Sequence, residues 1–412
     1  MHLANYGENS AQGHTKHRRS SYCADGPWSV RAAIGPGVTD KEIKLGQTMP
    51  YSGPASAFGA YGRTMAGYMA MINARGGING RKINLISLDD AFSPPKTVEQ
   101  TRRLVEGDEV LAIVGQMGTP TSMAASRYLN GKKVPQLFIS SGSPKLDDAK
   151  SLPWTTIFYA SQAVEGRIYG RYLLQNKPNA KLGILYQNDD YGRGYVAALK
   201  EQLGEKAATM IVKEIPYELT EPTVDSAIVS LKASGADTFF NASTPKFVAQ
   251  AIRKAHEIGW KPLHIVLTAG AQISSTLKPA GIEASTGVVT SIWLKSVDDP
   301  VWANDKGVQD FVSFMKEWAP NESVTDTMNG LGYSTAQLII HVLEKCGDDL
   351  TRENIMKQAS NLKDLQLPLF IPGVTINTSP DQRTPWRSAQ VVRFDGAGWD
   401  PLGSLVSVSD LK

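Results

Sequence analysis

The chain is poor in several things that usually announce a function. Only two cysteines, Cys23 and Cys346, occur in 412 residues, and neither stands at metal-ligand spacing from a second ligand. We read them as one tail thiol and one packed thiol, with a disulfide between them as the alternative. No stretch approaches the roughly 18 uninterrupted apolar residues of a membrane helix. Charge of one sign is lacking too: 43 Lys and Arg face 40 Asp and Glu, spread along the chain, so the basic stripe that nucleic acid demands is missing.

Catalytic signatures are likewise missing. There is no His-Glu-x-x-His and no Gly-x-Ser-x-Gly. His2, His14 and His17 lie in the N-terminal tail, while His256, His264 and His341 stand singly in helical or strand patterns and are read as structural. Asp89-Asp90 and Asp189-Asp190 follow strand patterns, where helix capping or loop solvation is favoured over cation ligation. The glycine-rich "SGPASAFGAYGR" at 52–63 has neither the Gly-Lys-Ser/Thr of a phosphate loop nor Gly-x-Gly-x-x-Gly directly after a strand, so no nucleotide cradle is expected. Nothing calls for a cofactor, and an enzyme is unsupported. The first 37 residues are polar and basic, contain no apolar signal core, and are expected to be an irregular segment outside the fold.

What the sequence does have is alternation. Strand patterns "EIKLGQTM", "KINLISL", "VLAIVG" and "VPQLFIS" alternate with helical ones from residue 41 to about 157. A second series follows: helix 163–176, "KLGILYQ", helix 191–203, "ATMIVKEI", helix 223–234, "ADTFFNA", helix 246–258 and "PLHIVLT". Helical patterns at 307–318, 330–345 and 351–359 come next, then short strands "GVTIN" and "AQVVRF". Near-continuous apolar strands joined by helices predict parallel sheets covered on both faces. At this length two lobes are expected.

Small polar residues recur at the C-terminal ends of these strands: "GQMGTPTS", "SSGSP", "NDDYG" and "NASTPK". Ligands of open α/β sheets bind at that edge, near helix N-termini. Two such edges facing each other make a cleft, with Phe58, Tyr191 and Tyr333 as candidate walls for an apolar body.

In this order, "IKLGQTMPYSGPASAFG", "INARGGINGRKINLISLDDAFSPPK", "AIVGQMGTPTS", "VPQLFISSGSPKL" and "ILYQNDDYGRG" resemble the periplasmic solute-binding proteins of ABC transporters, in the leucine/isoleucine/valine-binding branch of the type I fold. The likeness covers about residues 38–405. It implies an α/β fold of two doubly wound parallel-sheet lobes joined by a three-crossover hinge, with lobe 1 at 38–157 plus 290–386 and lobe 2 at 158–289 plus 387–412. It further implies a periplasmic protein that closes on a small-molecule ligand, works as a monomer and delivers to a membrane permease. Carried over by position, the ligand shell is Phe58, then Met117, Gly118 and Thr119, then Ser140, Ser141 and Gly142, with Tyr191, Ser243, Thr244 and Ala269 from the second lobe. Amino-acid binders of this family hold the ligand ammonium with an acid in the loop after the strand written here "HIVLT", yet "AGAQISSTLKPAGI" has none before Glu283. A buried ammonium without a carboxylate is costly, so the expected ligand is a carboxylate or amide with an apolar body, aromatic or aliphatic, rather than an α-amino acid. A ligand-sensing receptor module of the same fold and a branched-chain amino acid binder are the alternatives.

Overall fold

Residues that alternate between two apolar clusters explain the architecture. In "KLGILYQ", Leu182 and Ile184 join one cluster with Ile168, Tyr169 and Leu199, while Leu185 joins the opposite one with Ile228, Leu231 and Phe247. A strand so covered on both faces must be apolar at nearly every position. The computed structural model describes residues 34–407 and 411, all within one compact unit, 33–412. The readings for residues 1–33, Cys23 included, lie outside the described residues.

The first sheet runs β1 (Glu42–Met49), α1 (Gly59–Ala74), β2 (Lys82–Asp89), α2 (Pro94–Arg102), β3 (Ala112–Val114), α3 (Thr119–Gly131), β4 (Gln136–Ile139) and β5 (Thr155–Ile157). Its five strands are parallel in the order β2-β1-β3-β4-β5. The second follows as α4 (Gln162–Asn176), β6 (Leu182–Gln187), α5 (Asp190–Leu203), α6 (Ala207–Met210), β7 (Ile211–Tyr217), α7 (Asp225–Ala233), β8 (Thr238–Ala242), α8 (Pro245–Glu257) and β9 (Leu263–Val266). Two short helices, α9 (Lys278–Ala280) and α10 (Ile282–Ser285), lead to β10 (Val289–Ile292). The chain then returns through α11 (Lys306–Trp318), α12 (Thr327–Cys346) and α13 (Arg352–Ala359), which pack Phe311, Leu338 and Ile355 into the core of the first sheet. It ends with β11 (Ser388–Phe394), β12 (Trp399–Pro401) and β13 (Val406–Ser407) on the second.

The predicted alternation is present, with differences, the short strands β5, β12 and β13 among them. The second sheet is mixed: β6 to β10 are parallel neighbours, whereas β11 pairs antiparallel with β10, β12 and β13. The strand β10 was not anticipated, since its Thr290 and Ser291 break the apolar run that marks the other strands. "GVTIN" is not a strand; its Ile376 makes only an isolated bridge to Leu365. The first half of "ATMIVKEI" is a helical turn, because Ala208 to Met210 continue α6.

The chain passes between the sheets after β5, after β10 and before β11. All three passages meet in one aromatic cluster. Phe158 lies 5.0 Å from Trp386, Trp386 lies 4.4 Å from Trp293, and Trp293 lies 5.5 Å from Tyr159. Cys346 is a buried free thiol at the end of α12, its pKa pushed up to about 12 by burial. Among the described residues, no helix is long and apolar enough to cross a membrane.

Candidate functional site

A doubly wound sheet opens a crevice where successive connections leave a strand in opposite directions. In the first sheet that point lies between the C-terminal ends of β1 and β3, and in the second between those of β6 and β8. Phe58 and Met117 to Thr119 follow the first pair; Gln187, Tyr191 and Thr244 end or follow the second. All line one cavity enclosing about 470 Å3 of atom-free space, part of it open to solvent.

Of the eleven residues expected from sequence, ten border this cavity: Phe58 and Met117, Gly118 and Thr119, Ser140 to Gly142, and Tyr191, Thr244 and Ala269 across from them. Ser243 is buried beside Thr244 but does not border it. Tyr333, a candidate wall, packs instead between Tyr68 and Phe311, 5.2 Å from each ring, inside the first core. Five bordering residues were missed: Phe92, Tyr159, Gln187, Tyr195 and Met328. Three had a readable signal. Phe92 follows the end of β2, Gln187 ends β6, and Tyr195 stands one turn after Tyr191, their rings 5.3 Å apart. Met328, in the first turn of α12, had none.

The first-sheet side is built to present backbone. Gly118 caps α3 at φ +96°, and a Cβ there would stand 2.4 Å from the Phe92 ring. Glycine alone therefore lets the ring lie against the start of the helix. Phe92 is set by Asp90, which accepts its backbone N–H at 2.9 Å, and its ring is 6.3 Å from that of Phe58. Ser140 to Gly142 leave β4 after an irregularity in register, with Phe138 at φ +51°. Such bulges re-aim a strand end. The Thr119 and Ser141 hydroxyls are 2.7 Å apart, and Gln162 Nε2 donates to Thr119 Oγ1 at 3.3 Å.

The two helix N-termini differ in charge. Asp189 caps α5, accepting from the N–H groups of Tyr191 and Gly192 at 2.8 and 3.3 Å, so a carboxylate already answers that end. No side chain caps α3, leaving its partial positive charge facing the cavity. Asp190 is committed as well, to Lys145 at 2.6 Å. No Asp, Glu, Lys, Arg or His borders the cavity among the described residues. The Tyr191 hydroxyl is buried with no hydrogen-bond partner among them. Burial, with Tyr159 and Glu165 adding to it, pushes this phenol well above the ordinary range. It is a neutral donor.

A carboxylate does reach the loop after "HIVLT", from a helix that sequence reading did not connect with it. Glu165, in the first turn of α4, is 1% exposed. Its Oε1 accepts from Tyr169 Oη, Thr268 N and Thr268 Oγ1, each at 2.8 Å, and its Oε2 from Tyr195 Oη at 2.9 Å. These donors satisfy the carboxylate behind the cavity wall, and it does not border the cavity. Glu283 lines a separate surface groove with His256 and Lys261. His264 is structural: it stacks 4.4 Å from Phe239, and burial lowers its pKa to about 3.

Asp326 caps α12, accepting from Met328 N at 2.9 Å, and burial raises its pKa from 3.8 to about 6. Between these values the folded protein holds a proton that the unfolded chain has released. The stabilisation is therefore complete below the unfolded value and is lost as pH rises through about 6. Asp326→Asn keeps a capping side chain and removes the buried charge. Thermal melts should show it more stable than wild type by on the order of 1–2 kcal/mol at pH 7.5, the gain shrinking towards zero near pH 4.

Two α/β sheets that bring their switch points to one cavity, with three chain passages between them, have the architecture of the two-sheet, hinge-crossed binding proteins. Residues 42–398 match the family described as periplasmic binding protein, and the chain belongs to that family. It is 26% identical over 361 residues to Leu/Ile/Val-binding protein homolog 7 of Brucella abortus, covering 82% of this chain and 85% of the relative. It is 28% identical to an amino acid binding protein of Pseudomonas aeruginosa, but over only 53% of this chain and 58% of that protein. Among solved structures, the valine-bound branched-chain amino acid ABC transporter protein of Thermus thermophilus superposes with a TM-score of 0.81 at 15% identity, over 91% of this chain and 98% of that one. A fatty acid ABC transporter substrate-binding protein of Thermomonospora curvata gives 0.75 at 21% identity, over 92% and 96%. At these identities the structural likenesses speak for the fold.

Proposed function

We propose that this protein is the substrate-binding component of an ABC importer, closing on a small carboxylate or amide with an apolar, aromatic body rather than on an α-amino acid. The observation that carries the reading is the cavity's lack of any charged side chain, alongside one buried, neutral, unpartnered donor, Tyr191. An ammonium would find no counter-charge there. A carboxylate or carbonyl would receive the uncapped start of α3, whichever of the paired Thr119 and Ser141 hydroxyls accepts from the other, and the Tyr191 phenol, while Phe58, Phe92 and Met117 enclose its body. The ligand seats between lobes at 38–157 plus 290–386 and 158–289 plus 387–412, which swing about the aromatic cluster at the three passages. The protein acts in the periplasm as a monomer, hands its ligand to a membrane permease, and performs no chemistry on it. The family and the relatives' names support the transport reading.

The test is calorimetry and thermal shift on ligand-stripped protein with leucine, valine, benzoate, hydroxycinnamates, short alkanoates and small amides. A ligand at about 100 times its Kd adds roughly 2.7 kcal/mol of stability. Binding by acids or amides lacking an ammonium is expected, and Tyr191→Phe should weaken it about tenfold, the loss of one hydrogen bond to a charged acceptor. Tight stoichiometric leucine binding with none for the acids overturns the reading.

A further inference from the structure

Beside the main cavity lies a second, smaller chamber, about 300 Å3 of atom-free space with part of it open to solvent, in which the centre of a water-sized sphere can range over only about 30 Å3. The two share Tyr159 and Met328 as a common wall. Beyond that wall the lining is Ile292, Trp293, Leu294 and Leu331, with Thr268 and Thr327 as its hydroxyls. The Thr268 hydroxyl lies 2.8 Å from Glu165 Oε1 and 2.5 Å from the Ser291 carbonyl, so its one proton is taken by one of these acceptors. Trp293 is different: it is 2% exposed, and its indole Nε1 is buried with no partner among the described residues.

Buried tryptophan N–H groups normally find an acceptor. Trp260 in this protein does, donating to the Ala236 carbonyl at 3.0 Å. Trp386 Nε1 is also unpartnered, but Trp386 stacks on Trp293 within the aromatic cluster and borders neither chamber. Trp293 thus combines a buried orphan donor with a place on a chamber wall. Tyr159 and Met328 border both spaces, and the unbranched side chain of Met328 adapts to different fillings at small cost.

We infer that the second chamber is a distal subsite, and that the ligand is an elongated acid or amide carrying an oxygen acceptor at the end remote from its head group, received by Trp293 Nε1. This rests on the acid- or amide-binding reading above and narrows it: the head lies at α3, the body passes Tyr159 and Met328, and the far oxygen meets the indole. Because Trp293 directly follows β10, at one of the three passages between the sheets, occupancy of the subsite also brings the ligand against the hinge.

The decisive experiment compares isosteres that differ in this oxygen alone: 4-acetyl against 4-isopropyl, on both benzoate and cinnamate, titrated calorimetrically into wild type, Trp293→Phe and Leu331→Phe. In at least one pair the acetyl compound should bind wild type about tenfold more tightly. Trp293→Phe should erase that preference and leave the isopropyl affinity within about twofold, and Leu331→Phe, which fills the chamber, should weaken both longer ligands but not benzoate. In wild type itself, the Trp293 indole 15N–H resonance, assigned through its connectivity to the Trp293 backbone, should move on adding the acetyl ligand and not the isopropyl one. That measurement stands even where a variant fails to fold. Aryl acids that bind without an acetyl preference or an indole shift overturn the subsite alone. If no aryl acid or amide binds wild type, the subsite and the acid- or amide-binding reading fall together.

Discussion

Gly142→Ala is expected to abolish ligand binding and to destabilise the protein by on the order of 3 kcal/mol, the upper range for overpacking. A Cβ on Gly142 would stand 1.8 Å from the Ala160 carbonyl oxygen and 2.9 Å from Gln162 N. Both are backbone atoms of the passage from β5 to α4, so no side-chain rotation relieves the overlap. The Gly142 carbonyl also accepts the Gln162 N–H at 2.8 Å, so moving the strand end away breaks a bond as well. The same displacement would pull Ser140 and Ser141 out of the cavity wall. Gly107→Ala is the control: an added Cβ there meets nothing within 4 Å, and melting temperature and affinity should be unchanged. A Gly142→Ala protein with wild-type melting and binding would show that the wall is not set by this contact.

The second large effect is expected at Glu165. Glu165→Ala leaves the hydroxyl of Tyr195 and the backbone N–H of Thr268 without their acceptor, while the Tyr169 hydroxyl keeps only the Val266 carbonyl at 3.3 Å and the Ser291 and Thr290 hydroxyls. Each buried orphan costs about 1–3 kcal/mol, so a loss of roughly 3–5 kcal/mol is expected even with partial relaxation. Glu165→Gln should cost about 1 kcal/mol: its oxygen still accepts from Thr268 and Tyr169, and its amide can donate to the Tyr195 hydroxyl. Ligand affinity should follow the same order, because Tyr195 borders the cavity and Thr268 precedes Ala269. Thermal melts and calorimetry on both variants decide the matter. Equal behaviour of Ala and Gln would mean that the hydrogen-bond set does not hold this wall.

Much of the site was readable because strand ends are readable. "GQMGTPTS", "SSGSP" and "NDDYG" are small and polar where the chain leaves a sheet, and the backbone there must approach a ligand or a helix start. The same logic would have reached Phe92 and Gln187 had every residue following a strand been considered. Tyr159 and Met328 were beyond it. Tyr159 borders the cavity because the chain crosses between sheets just after β5, and Met328 because α12 returns across more than a hundred residues to pack on α1. Neither position differs locally from an ordinary core residue.

Glu165 shows the same limit from the other side. A carboxylate in the first turn of a helix reads as a solvated partner for the helix dipole. It is instead buried by Tyr169 and Tyr195 from α4 and α5, Thr268 after β9, and Ser291 from β10. The missing acid in the loop after "HIVLT" was correctly read as missing, while the carboxylate that reaches this loop from α4 was invisible.

By itself, then, the sequence determined the alternation of helices and apolar strands, the two sheets and the small polar strand ends, because each depends on periodicity and backbone chemistry within a few residues. Only the tertiary structure decided which of those ends face each other, which hydroxyls and indole nitrogens remain without partners, and that one carboxylate is fully occupied behind the cavity. Those facts follow from strand order and from three passages between the sheets. They join residues far apart in the chain, where no local pattern carries the information.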